Sequence, residues 1–198
     1  MISVVVADDH PAVRAGLVAL LKLEPGIVPV AAASHGVEAI DRCRSWDPDV
    51  ALLDYHLPDM DGLSVCRALR GGPKPPALVL YSAFADERLA LPAALLGVHA
   101  VVPKTIPTDD LFEVIRRAAR GEGALAASPA LLTAARGAVE LDDLPILGML
   151  ADRTPSPEIA TVLGMAPDAV DQRIDHILQV LKRDIDSRLP PPLPLPSD

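Results

Sequence analysis

Asp8 and Asp9 follow the apolar run Ile2 to Ala7, Asp54 follows Val50 to Leu53, Ser82 follows Ala77 to Tyr81, and Lys104 comes after His99 to Val102 and Pro103. If those runs are parallel strands of one sheet, all five side chains emerge at its C-terminal edge, where open α/β sheets bind their ligands. Three carboxylates gathered there repel one another by about 4 kcal/mol per pair at about 4 Å, for an effective dielectric near 20. A cation must compensate, and an oxygen donor set that keeps several waters suits Mg²⁺. A metal, a carboxylate nucleophile, a hydroxyl donor and a lysine point charge are the parts needed to move a phosphoryl group onto an aspartate. Catalysis of that kind is mostly positioning and charge neutralisation. An aspartate after a strand is, taken singly, more often just the N-cap of the next helix. The joint spacing is what turns the reading towards chemistry.

Five strand and helix pairs are needed to hold these residues, and residues 1–122 supply them. Besides the runs above, Ile27 to Ala33 reads as a strand. Segments of helical period lie at Pro11 to Leu23, Gly36 to Ser45, Gly62 to Arg70, Asp86 to Leu96 and Thr108 to Arg120. Continuous apolar strands alternating with helices imply a parallel sheet covered on both faces. Five units are too few for a closed barrel of eight, so a doubly wound sheet of order 2-1-3-4-5 is expected. Pro92 falls inside the fourth helical segment, where it removes a helix hydrogen bond at about 3 kcal/mol; the helix is expected to begin near Pro92 or to bend there.

Half of the chain is hydrophobic, enough to pack a core, and the net charge is −9. No stretch approaches the roughly 18 to 20 apolar residues of a membrane span, and the N-terminus lacks a leader pattern, so a cytoplasmic protein without membrane association is expected. Cys43 and Cys66 show no metal or disulfide spacing and read as buried thiols. A linker is expected over residues 123–139, with a short helix at Pro129 to Arg136. Residues 140–186 follow as a small all-α domain, and residues 187–198 as a proline-rich, disordered tail. Helical patterns in that domain run from Leu141 to Ala151, Ser156 to Leu163 and Pro167 to Ile185. Ser156 before Pro157 reads as an N-cap, and Leu163-Gly164-Met165 as the turn of a helix-turn-helix.

Asp8-Asp9-His10-Pro11, the run from Asp54 to Gly62, Ser82-Ala83 and Lys104 resemble the receiver domains of bacterial two-component response regulators. Arg14 and Gly16 after the Asp-Asp-His-Pro opening resemble the NarL/LuxR branch. The resemblance implies a flavodoxin-like (βα)5 receiver with Asp54 as phosphoacceptor for a histidine kinase. It also implies Asp9, Asp54 and the His56 main-chain carbonyl as Mg²⁺ ligands, Asp8 acting through metal-bound water, and Ser82 and Lys104 on phosphoryl oxygens. Val101 stands where that family places an inward-rotating aromatic residue, so Val101 and Pro92 mark an altered output side.

The stretch from Leu141 to Leu181 resembles the NarL/LuxR helix-turn-helix domain, with Val170, Ile174, Ile177, Leu178, Leu181 and Ile185 as its core stripe. Its recognition positions would be Ala169, Asp171, Gln172, Arg173 and Asp175. Two aspartates one turn apart, Ala169 for the usual threonine and Ala166 for an N-cap serine, work against phosphate contact. An aspartate can still accept from cytosine. Two roles therefore stay open: a phosphorylation-controlled transcription factor that binds DNA, alone or as a homodimer, and a regulator whose helix-turn-helix has become a protein-binding module. No nucleophile, metal or phosphate-loop motif in residues 140–198 supports a catalytic output, so no enzyme is expected.

Overall fold

The computed structural model describes the chain except for residues 84, 86, 124, 126–138, 152–153 and 187–198, and the side chains of 87–88, 141, 144, 148, 151 and 182–186. The expected helix at Pro129 to Arg136, most of the expected linker and the proline-rich tail lie outside the described residues. The elements are β1 (Ile2–Ala7), α1 (Pro11–Leu23), β2 (Ile27–Ala33), α2 (Gly36–Trp46), β3 (Val50–Asp54), α3 (Gly62–Arg70), β4 (Ala77–Ser82), α4 (Glu87–Leu95), β5 (Ala100–Pro103) and α5 (Thr108–Ala119). A short 3₁₀ turn (Leu141–Asp143) then leads to α6 (Leu144–Ala151), α7 (Ser156–Leu163) and α8 (Pro167–Asp186).

The five strands form one all-parallel sheet of order β2-β1-β3-β4-β5, as the alternation of apolar runs and helices predicts. Pro29 is tolerated in β2 because that strand lies at the sheet edge, and the β1–β2 register shifts beside it, between Val4 and Val5. One face of the sheet packs under α1 and α5 through Leu17, Leu21, Leu111, Phe112 and Ile115. The opposite face packs under α2, α3 and α4.

That second core does not stop at the receiver. Leu89, Leu91, Leu95 and Leu96 from the α4 region belong to the same buried cluster as Ile146, Leu147, Leu150, Ile159, Val170, Ile174, Ile177 and Leu178. Helices α6 and α8 both pack on α4. The stripe read from α8 is buried through Leu181; the Ile185 side chain lies outside the described ones.

Four local expectations are corrected. Asp54 and Ser82 are the last residues of β3 and β4, in ladder register with Tyr81 and Pro103, and do not follow the strands. Helix α4 starts at Glu87 and Pro92 sits buried inside it, so the alternative of a start near Pro92 does not hold. Proline has no N–H to donate there, but its carbonyl accepts from Leu96 N at 3.1 Å, so only one helix bond is forfeited. Helix α7 is capped by Pro155, not Ser156: the Pro155 carbonyl accepts from Glu158 N and Ile159 N, which puts Ser156 in the first turn. Leu141 to Asp143 is a tight 3₁₀ turn and not the first turn of α6. The Gly164 turn is as expected, with a left-handed φ of 63° that suits glycine.

Candidate phosphoryl site and the docked helix

Strand β1 delivers Asp8, Asp9 and His10 to the C-terminal edge of the sheet, and Pro11 at the first position of α1 ends the loop. Arg14 fixes its path by donating from Nη1 to the Asp8 carbonyl at 2.6 Å and more weakly to that of Asp9. Asp8 is fully buried, and its Oδ1 accepts from His10 N–H at 2.9 Å. Asp54 is also buried, with Oδ1 accepting from His56 N–H at 3.3 Å.

Lys104 joins the two carboxylates. Its Nζ lies 2.7 Å from Asp8 Oδ2 and 2.7 Å from Asp54 Oδ2. Burial holds the Asp54 carboxyl above the usual carboxylate range; Lys104 opposes that rise and the Asp8 charge adds to it. Burial alone would lower the Lys104 ammonium, yet its hydrogen bonds to Asp54 and Asp8 carry it upward overall. Ser82 is buried at the end of β4, and its carbonyl accepts from Lys104 N–H at 2.9 Å. Tyr81 donates from its hydroxyl to the Lys104 carbonyl at 3.1 Å and places its ring 6.0 Å from Nζ. It fastens the lysine loop to β4 from the opposite side.

Gly62, eight residues past Asp54, is a requirement of this backbone. A Cβ on Gly62 would meet the Asp54 carbonyl at 2.5 Å and Tyr55 Cα at 3.0 Å, so any side chain there pushes on the end of β3.

Asp8, Asp9, His10 and Asp54 bring one potential ligand atom each within 4.8 Å of one another. Asp9 Oδ1 is buried and accepts no hydrogen bond. That oxygen lies beside His10 Nδ1 and next to two more carboxylates, an oxygen-rich cluster of the kind a hard cation satisfies, so the residues present fit Mg²⁺. The exposed His56 ring packs edge-on against Tyr55, with centroids 4.8 Å apart, and is not among these ligand atoms.

The residues expected on the output side lie elsewhere. Val101 pairs with Leu80 across β4–β5 and is half-buried, and Pro92 lies in α4 beneath the C-terminal helices. Of the expected recognition positions, Ala169 is half-buried and Gln172 exposed. Arg173 turns back into its own domain, with Nε 3.2 Å from Asp143 Oδ1 and Nη1 3.6 Å from Glu140 Oε2. Asp171 and Asp175 both face the receiver. Arg67 in α3 donates from Nη2 to the Asp171 carbonyl at 3.1 Å, lies 3.7 Å from the Asp171 carboxylate, and pairs through Nε with Asp175.

Sequence reasoning missed Arg67 in this role. The available sign was a pair of basic residues, Arg67 and Arg70, closing α3; Arg70 donates to the Leu95 carbonyl at the end of α4 at 2.7 Å.

The family model for the response regulator receiver domain matches residues 4–116. The nitrate/nitrite response regulator protein NarL of Escherichia coli K12 is 31% identical over 192 residues, covering 91% of this chain and 89% of that one. This chain is a two-component response regulator of the NarL/LuxR type. The DNA-binding transcriptional activator DevR/DosR of Mycobacterium tuberculosis is 33% identical over 193 residues, covering 91% of this chain and 88% of its own. Among solved structures, the signal receiver domain of the putative response regulator NarL from M. tuberculosis aligns with a TM-score of 0.59 and 33% identity. It covers 61% of this chain and 98% of that one. Both curated relatives are named as regulators and neither as an enzyme, and among the described residues no helix is long and apolar enough to cross a membrane.

Proposed function

We propose that this regulator takes a phosphoryl group from a histidine kinase onto Asp54 and thereby controls transcription. The observation that carries the first half is Lys104 Nζ at 2.7 Å from both Asp8 and Asp54, with the Asp9 carboxylate in the same cluster. Mg²⁺ held by Asp9, Asp54 and the His56 main-chain carbonyl, with Asp8 acting through bound water, would neutralise the phosphoryl oxygens. An Asp54 carboxylate oxygen attacks phosphorus as the P–N bond to the kinase imidazole breaks. The electron pair stays on the ring nitrogen, which takes a proton from solvent. Lys104 leaves Asp54 to pair with one phosphoryl oxygen, and the Ser82 hydroxyl donates to another. Replacing Asp54 by Asn and measuring label uptake from a small acyl phosphate tests this: uptake is expected to vanish, and undiminished uptake would overturn the assignment.

The transcriptional half draws on the relatives, which are regulators matched over nine-tenths of this chain. A second reading has its own support: Asp171 and Asp175 are engaged by Arg67, and Arg173 by Asp143 and Glu140. Helix α8 in this arrangement is a protein-contacting element, and a partner protein or a second copy of the chain could take the place of the receiver. Duplex-DNA binding at two salt concentrations, with and without a beryllofluoride phosphoryl mimic, separates the readings. Binding that weakens steeply with salt supports direct DNA contact; no binding in either state supports the protein-interaction role.

A further inference from the structure

We infer that Asp59 is a positioning residue for the cation site: by clasping the N-terminus of α2 it holds the β3–α3 loop, and the His56 carbonyl within it, in place for Mg²⁺. The inference rests on the cation site proposed above and adds a residue that is not one of its ligands. Asp59 Oδ1 accepts from Gly36 N–H at 2.6 Å, and Oδ2 accepts from Val37 N–H at 2.9 Å. Both oxygens are committed to α2, and Asp59 does not belong to the group formed by Asp8, Asp9, His10 and Asp54.

Helix α2 takes this cap from a distant segment because it has no local one. Its N-cap residue, His35, makes no side-chain cap hydrogen bond, and Glu38 reaches back to Ser34 N–H instead. The first amides of the helix would otherwise lack an acceptor, and the positive end of the helix dipole favours a carboxylate there. Met60, next in the chain, occupies the space that a Cβ on Gly36 would need, so glycine at the start of α2 lets the loop close in.

The loop is closed at its base. His56 and Asp61 pair as an antiparallel bridge, Gly62 N–H donates to the Tyr55 carbonyl at 2.7 Å, and Asp61 accepts from Ser64 N–H at 2.8 Å. Asp59 fastens the tip. The turn before α2 also serves the other side of the site, since the Ala33 carbonyl accepts from Asp8 N–H at 3.2 Å. The start of α2 is therefore a common post for the loop that carries Asp8 and Asp9 and the loop that follows Asp54. Removing the Asp59 carboxylate frees one loop from that post and leaves every proposed ligand in the chain.

Mg²⁺ is titrated calorimetrically into the full chain. Asp59→Ala should weaken binding about tenfold, as loss of a group that orients ligands does, and Asp59→Asn, which keeps one acceptor oxygen, should weaken it less. Glu38→Ala loosens the same helix end without touching the loop and should change Mg²⁺ affinity less than about twofold. Label uptake from a small acyl phosphate should need more Mg²⁺ in Asp59→Ala and recover at saturating Mg²⁺. In the wild type, Mg²⁺ should slow amide exchange at Gly36 and Val37, because coupling between the site and the clasp is reciprocal; that slowing should be lost in Asp59→Ala. Unchanged Mg²⁺ affinity in Asp59→Ala, an equal loss in Glu38→Ala, or no Mg²⁺ effect on those wild-type amides overturns the role of Asp59 and leaves the cation site standing. A wild type that binds no Mg²⁺ overturns the site and this inference together.

Discussion

Two places in this protein hold a pair of aspartates with a single cation. At the sheet edge Lys104 bridges Asp8 and Asp54, and at the docked helix Arg67 bridges Asp171 and Asp175. The formal charges are alike and the surroundings are not. The Asp8 and Asp54 side chains are 0% and 3% exposed, against 51% for each aspartate of α8. Water screens the second trio, while the first must be compensated from within. Removing one member should therefore have large consequences at the sheet edge and small ones at the helix.

The largest effect is expected from Lys104→Met. Two buried carboxylates are left facing each other, which should cost about 3 kcal/mol of stability in metal-free buffer. Phosphoryl uptake should fall by about 100-fold, as when one donor to a developing anion is removed. Adding Asp54→Asn to Lys104→Met should recover most of the stability and none of the uptake. Chemical denaturation of the two variants provides the comparison, and a cost no greater than that of removing Arg67 would erase the distinction between the two sites.

Arg173→Met is next. Asp143 is fully buried, and neither carboxylate oxygen makes a hydrogen bond, so the Arg173 guanidinium at 3.2 Å is the cation that compensates it. Its loss should cost about 2 kcal/mol, less than a fully buried pair because Arg173 is itself one-third exposed. Asp143→Asn in the same background should restore stability. An arginine of α8 that could be removed without cost would instead be one free to reach a phosphate.

These contrasts also mark how far the sequence could be read. The sheet and its order were legible because strands buried on both faces must be continuous apolar runs, and the C-terminal ends of parallel strands share one edge. Asp8, Asp54, Ser82 and Lys104 could therefore be placed together before any distance was known. The α8 stripe was legible for the same reason, through period and hydrophobicity. Its polar face was not. Arg67 and Asp171 are 104 positions apart, and nothing local in either segment specifies the other. A start of α4 near Pro92, one of the two outcomes expected of that proline, does not occur, because Leu89 and Leu91 upstream of it are buried and hold the first turn in place.

A smaller effect should be seen in Asp54→Asn as a function of pH, without divalent cations. Burial raises the folded-state pKa of Asp54, so the native protein retains this proton to higher pH than the unfolded chain. Stability from this group is complete below the unfolded value, about 3.9, and is lost as pH rises through the folded value. The variant lacks that loss. Its melting temperature should match the wild type near the acid end and exceed it towards neutrality. Parallel melting profiles would mean that Lys104 fully compensates the buried charge.

The smallest effect belongs to Arg67. Its bonds to α8 are half-exposed, and exposed ion pairs contribute between about 0 and 1 kcal/mol. A double-mutant cycle of Arg67→Met with Asp175→Asn should give a coupling below about 1 kcal/mol, falling towards zero near 1 M salt, where charges are screened within about 3 Å. The buried contact of α8 with α4 should keep the helix docked in Arg67→Met, so amide exchange in α8 should barely change. Charge reversal in Arg67→Glu sets three carboxylates together and should speed that exchange, less so in high salt. A coupling above about 2 kcal/mol that ignores salt would make the exposed trio the equal of the buried one, and the docked helix would then be held chiefly by charge and not by the shared apolar core.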